Sequence, residues 1–134
     1  TLLNFAEAKN EALGSPDNSV YDAVNAVRTR ASVNMPALPA GLNKEQMRER
    51  IRRERRVELA FEGFRFWDIR RWRIGKSVMR EARGMRVEKQ GGGDFSYTPF
   101  LVESRIYEDA FDLFPIPQSE RNRNTALSQN DGYN

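Results

Sequence analysis

The 134-residue sequence contains no cysteine and no histidine. The first absence excludes disulfides and thiol nucleophiles; the second removes imidazole acid–base catalysis and the usual zinc-ligand sets. No apolar run approaches the roughly 18 residues that a membrane span requires. Net charge is nearly absent as well. The 22 Lys+Arg against 19 Asp+Glu leave only +3, so a sequence pI near 9.5 is weak evidence for a polyanionic partner. The length sets a ceiling of one domain, 1–134, able to bury about two-thirds of its unfolded surface. Thr1 leads straight into a helical pattern without an initiator Met or a targeting segment. A fragment of a longer chain is therefore expected, with any signal peptide or lipid anchor upstream.

What is present is mainly helical periodicity. Leu2, Phe5, Ala8 and Ala12 recur at spacings of three and four, and Gly14, Ser15 and Pro16 stop the pattern. Asn18 or Ser19 is the expected cap of a second helix, whose stripe is Val20, Val24, Val27 and Ala31. Ala23 and Ala26 leave room for close approach, so the pair reads as a helix hairpin similar to one tetratricopeptide-like unit. A Pro- and Gly-punctuated loop spans Val33 to Leu42. Asn43 and Gln46 then form a capping box opening a long helix to about Glu62. Gly63 breaks it, Phe64 to about Ile74 continues as a shorter helix, and another start is possible after Gly75. Short extended pieces are expected at Arg86–Glu88 and Phe100–Ile106, and Pro115 and Pro117 hold Phe114–Pro117 extended.

The long helix places Met47, Ile51, Glu54, Glu58 and Phe61 on one side. Two carboxylates on an apolar stripe could serve glycoside hydrolysis, but a hydrolase pair must project from opposite sides of a cleft. Two acids on one helix point the same way. Pairing with arginine inside the packing is the favoured reading, with Arg28, Arg30, Arg65 and Arg70 as donors and Arg28 and Arg30 foremost. The neighbouring Phe61, Phe64, Phe66, Trp67 and Trp72 could stack on sugars or on single-stranded bases. Their spacing instead favours a core, with Phe64, Trp67, Arg71 and Ile74 on the inner face and Trp72 displaced to partial exposure. Gly91-Gly92-Gly93 lacks the ending and context of a phosphate loop, and Arg121–Asn124 reads as a solvated polar turn.

Four segments in order, AEA…NAVRTRA, ERRVELAFEG, RFWDIRRW and LFPIPQSE…N…L…QN.GY, carry a resemblance to the C-terminal part of SusD/RagB-family outer-membrane nutrient-binding lipoproteins. It covers nearly the whole chain and is most specific at Glu54–Trp72 and Leu113–Tyr133. Thr125 after Asn124 and Asp131 before Gly132 replace prolines that the family pattern usually has. The resemblance implies a mainly α fold of tetratricopeptide-like hairpins, a few short strands and a long irregular C-terminal strap. Within that strap Phe114 and Ile116 are expected to face inward, and Asn122, Asn124, Asn130 and Asp131 to replace missing backbone partners.

It also implies a binding protein rather than an enzyme, with no catalytic residue, no metal and no cofactor. Its cargo would be a nutrient, foremost an oligosaccharide. Its partner would be a SusC-like TonB-dependent transporter, and its location the cell-surface face of the outer membrane, reached through a lipid anchor outside this segment. No nucleic-acid partner is implied. No position matches a ligand-contact motif, so the ligand-binding residues are unknown from sequence. A helix-repeat scaffold for protein contact, without glycan binding, is the alternative.

Overall fold

A computed structural model describes residues 1–133, which form two compact units, 1–65 and 66 onward. The first holds α1 (Leu2–Ala12), α2 (Asn18–Arg28) and α3 (Lys44–Glu58). Their shared core is Leu3 and Ala6 of α1, Val20, Ala23 and Val24 of α2, and Met47 and Ile51 of α3, closed by Leu38 from the intervening loop. That loop is ordered by side chains rather than by regular structure. The Leu42 amide donates to Tyr21 Oη, the Leu38 amide to Asn25 Oδ1, and Arg28 Nε to the Pro36 carbonyl.

Three expectations for the first helices are corrected. The buried face of α1 is Leu3, Ala6 and Asn10, whereas Leu2 and Phe5 are about half exposed and Ala8 and Ala12 lie outward. Both faces of α1 carry apolar residues, so polar anchors choose between them. Asn10 is fully buried and donates Nδ2 to the Lys44 carbonyl at 3.1 Å. Lys44 Nζ reaches back to the carbonyls of Glu11 and Leu13, satisfying the open C-terminal end of α1. The cap of α2 is Asp17, not Asn18 or Ser19, which lie inside the first turn. From an extended backbone its carboxylate accepts from the Val20 amide and from Ser19 Oγ, and its charge suits the helix N-terminus. Ala31 lies beyond α2 and is exposed.

The Asn43–Gln46 capping box is present, but α3 ends at Glu58 rather than near Glu62. Phe61 and Gly63 both adopt left-handed backbone, with φ of 65° and 78°, so the chain turns before Gly63 and leaves Phe61 fully exposed. α4 (Phe64–Arg71) likewise ends before Ile74, because Arg73 is left-handed at φ 52°. From Phe66 onward it belongs to the second unit, where α5 (Gly75–Val78) follows. Tyr107 lies against Gly75 so closely that any β-carbon there would collide with its ring.

The strands are longer than expected. β1 (Glu81–Lys89) and β2 (Phe95–Ser104) form one antiparallel hairpin, with Val87 opposite Tyr97, Met85 opposite Pro99 and a bulge at Ala82/Arg83. Pro99 is tolerated because each strand of a two-stranded sheet is an edge. The three-glycine run is the hairpin tip, where Gly92 and Gly93 take positive φ.

From residue 105 the chain is a largely irregular strap, interrupted by a 3-10 turn at Asp109–Asp112 and by α6 (Gln118–Arg123). That helix replaces the polar turn expected at Arg121–Asn124. The strap closes on itself by side-chain bonds. Gln129 both accepts from the Ile116 amide and donates to its carbonyl, at 2.7 and 2.9 Å. Asn130 Nδ2 and Tyr133 Oη donate to the carbonyls of Phe114 and Leu113. Asn124 accepts from the Ala126 amide, whereas Asn122 bonds Gln118 instead of backbone. Ile116 is half-buried as expected, but Phe114 is exposed.

Two outcomes follow from these anchors. Gln129→Ala should destabilise by about 1–3 kcal/mol in urea titration, the cost of stranding two partly buried backbone groups; an unchanged midpoint would show the strap to be held otherwise. Hydrogen bonds from Ser19 and then Lys9 lower the Asp17 carboxyl from 3.8 to about 2. A depressed carboxyl stabilises the fold above its ordinary value and loses that contribution as pH falls through the lowered one. Asp17→Asn should therefore be less stable than the parent at neutral pH, the gap closing between pH 3.8 and about 2.

Candidate functional site

In the first unit, the packing face of α3 carries charges that must be neutralised. Glu54 is buried and accepts from Arg28 Nη1 at 2.6 Å; Glu58 accepts from Arg30 Nη1 at 2.7 Å. Arg28 closes α2 and Arg30 lies two residues beyond it, so the two foremost expected donors are observed as partners. Arg55, buried and overlooked in the sequence, adds a third link: it donates to Asn4 Oδ1 and lies 3.8 Å from Glu7 on α1. One turn after Ile51 and beside Glu54, it falls on the same helix face, which was the available signal. These carboxylates hold helices together. Beside them is an open cavity of about 540 Å³, lined by Leu2, Val27, Arg30, Arg55 and Glu58 among others.

The second unit contains an exposed aromatic cluster. The Phe66 and Trp67 rings meet edge to face at 5.1 Å, and Trp67 lies 5.9 Å from Phe114. The Arg70 guanidinium stacks 3.6 Å above Phe66 and reaches toward Phe114 at 5.7 Å. The expected inner face of α4 is thus reversed. Asp68 and Ile69 are buried, Trp67 is 58% exposed and Trp72 is the more covered of the two tryptophans. Asp68 accepts from Arg71 at 2.8 Å, so a charged residue can occupy the inner face. Residues 68, 69 and 72 then point one way, and Trp67, about 100° round the helix from Asp68, points another.

The acids near the strap are also committed. Asp109 accepts from Lys76 at 2.8 Å, and Asp112 accepts from Tyr107 Oη at 2.8 Å. Burial first, then that hydrogen bond, holds the Tyr107 phenol above its ordinary pKa. Among the described residues no group of three His, Cys, Asp or Glu side chains is placed to hold a metal ion.

A model of the SusD family matches residues 1–133, almost the entire chain. The chain belongs to the SusD family. SusD-like protein P2 of Formosa agariphila is 34% identical across 98% of this SusD-family chain, and SusD-like protein P38 of the same organism is 34% identical across 66%. Among solved structures, a SusD-like protein from Bacteroides fragilis is similar with 37% identity and a TM-score of 0.78. The alignment covers 98% of this chain and 24% of that one. A SusD homolog from Bacteroides thetaiotaomicron gives 30% identity and a TM-score of 0.70, covering 98% of this chain and 25% of its own. The chain spans a quarter or less of the length of these relatives, 24% for P2 and 18% for P38. These likenesses agree with the mainly helical, tetratricopeptide-like architecture expected from the ordered motifs.

The buried pair generates a stability test. Glu54→Ala should cost about 3–5 kcal/mol by leaving Arg28 charged and enclosed. Replacing Glu54 and Arg28 together by apolar residues should cost less than either single change. Equal, small losses for all three variants would show that the pair is solvated in solution.

Proposed function

We propose that this SusD-family segment belongs to a cell-surface binding protein that captures an oligosaccharide and hands it, chemically unchanged, to a SusC-like TonB-dependent transporter. Family membership over residues 1–133 carries the general nutrient-binding role. The cargo and the partner are the further step. Oligosaccharide is favoured by the Phe66–Trp67–Phe114 cluster, because the apolar face of a pyranose ring stacks on exposed aromatic rings. Its neighbour Arg70 can hydrogen-bond hydroxyl groups at the rim. No reaction is assigned, since Glu54 and Glu58 are each engaged by arginine on one helix. Membrane attachment in this reading is through a lipid anchor outside the segment.

A protein-contact role is favoured by a different observation. One face of the hairpin presents Met85, Val87, Phe95, Tyr97 and Leu101, all exposed. A contiguous apolar face of this kind marks a macromolecular contact. The two roles are compatible in one protein and separable by mutation. In the intact natural protein, Trp67→Ala should weaken oligosaccharide binding about tenfold by calorimetry, the scale of one good aromatic contact. Val87→Ser with Tyr97→Ser should leave that affinity unchanged and reduce co-purification of the outer-membrane transporter. Retained co-purification with no affinity for any saccharide in a broad panel would establish the scaffold alternative.

A further inference from the structure

The sequence repeats a small pattern: Glu81-Ala82-Arg83 opens β1 and Glu103-Ser104-Arg105 closes the hairpin. In a strand, residues two apart share a face, so each glutamate can reach its own arginine. Arg83 binds Glu81 through Nε and Nη2, both at 2.9 Å, and Arg105 Nε binds Glu103 at 3.0 Å. The backbone brings the two ends together. Glu81 is paired with Ser104, and the Arg105 amide donates to the Arg80 carbonyl at 2.6 Å. Arg80, Arg83 and Arg105 thus converge on one open groove of about 680 Å³, also lined by Glu81 and the hydroxyl-bearing Ser77 and Ser104.

We infer that this groove binds an anionic saccharide, one bearing carboxylate or sulfate groups; the inference rests on the oligosaccharide-binding reading above and names its substrate class. Three guanidinium groups face one carboxylate in the lining, leaving the groove cationic although the whole chain is nearly balanced. Arg80 has no carboxylate partner among the described residues. The two pairs present are exposed on both sides, and exposed ion pairs are weak. A ligand oxyanion can therefore displace Glu81 or Glu103 at little cost. Guanidinium groups bind carboxylate and sulfate with two parallel hydrogen bonds, and Ser77 and Ser104 supply hydroxyls for sugar oxygens. The aromatic cluster and the hairpin face are apolar and gain by being covered. Covering this groove without an anion would strand charges, so its chemistry fits a wet site.

The test uses the intact natural protein with three probes of matched length: an oligogalacturonide for carboxylate, a sulfated dextran oligomer for sulfate, and a neutral malto-oligosaccharide. At least one anionic probe should bind more tightly than the neutral one and weaken as salt rises. Arg80→Gln combined with Arg105→Gln should lower that affinity by about tenfold or more, on the scale of charge-assisted hydrogen bonds, without altering neutral binding. Glu81→Gln, which frees Arg83, should raise it, a gain that a merely structural role would not produce. Binding of the neutral probe at least as tight as both anionic ones overturns the groove proposal and leaves oligosaccharide capture standing. Anionic binding that the arginine changes leave intact also overturns it, as does binding confined to anionic lipid vesicles. Absence of affinity for every saccharide would sink the parent reading, and this one with it.

Discussion

A buried carboxylate has to meet a cation, and the first unit is arranged around that requirement. Eleven of the fifteen residues of α3 are charged, so Met47 and Ile51 are its main apolar anchors. A helix of that composition can be central only if the charges on its inner face are neutralised where they lie. Arg28 and Arg30 do this from the end of α2, and Arg55 does it in reverse by reaching Asn4 and Glu7 on α1. Because guanidinium–carboxylate bonds are directional, these links also fix the register of the three helices, which non-directional apolar packing specifies less sharply.

The second unit is organised differently. Ile69 is its only large apolar side chain that is buried among the described residues, and its order comes from hydrogen bonds and turn chemistry. Gln129 acts as a side-chain substitute for a strand, pairing with both backbone groups of Ile116, and Gly132 at φ 85° packs against Ala110. The result leaves large apolar groups at the surface, including the rings near Arg70 and one face of the hairpin. Those surfaces are suited to partners, whether sugar rings or protein, whereas the arginine groove at the base of the hairpin is suited to remain in water.

These features divide the surface by chemistry. In the proposed role, the aromatic faces take the apolar side of a sugar and the guanidinium groups its acidic substituents. The acids Glu54 and Glu58 are already employed in packing.

Several elements were legible in the chain itself because their signals are local. The Asn43–Gln46 capping box, the helix hairpin, the extended backbone at Pro115 and Pro117 and the need of Glu54 and Glu58 for arginine partners all follow from short-range geometry or from the cost of burying charge. The ordered motifs likewise identified the family. What the chain could not decide was orientation. α1 and α4 each have two plausible inner faces, and Asn10, Asp68 and their polar partners, not apolar periodicity, selected Leu3–Ala6 over Leu2–Phe5 and Ile69 over Trp67. Convergence of Arg80, Arg83 and Arg105 was hidden for the same reason: residues about twenty apart become neighbours only when β1 and β2 pair. Local free energies are written along the sequence, while the choice among nearly equal faces depends on contacts that exist only after the chain has folded.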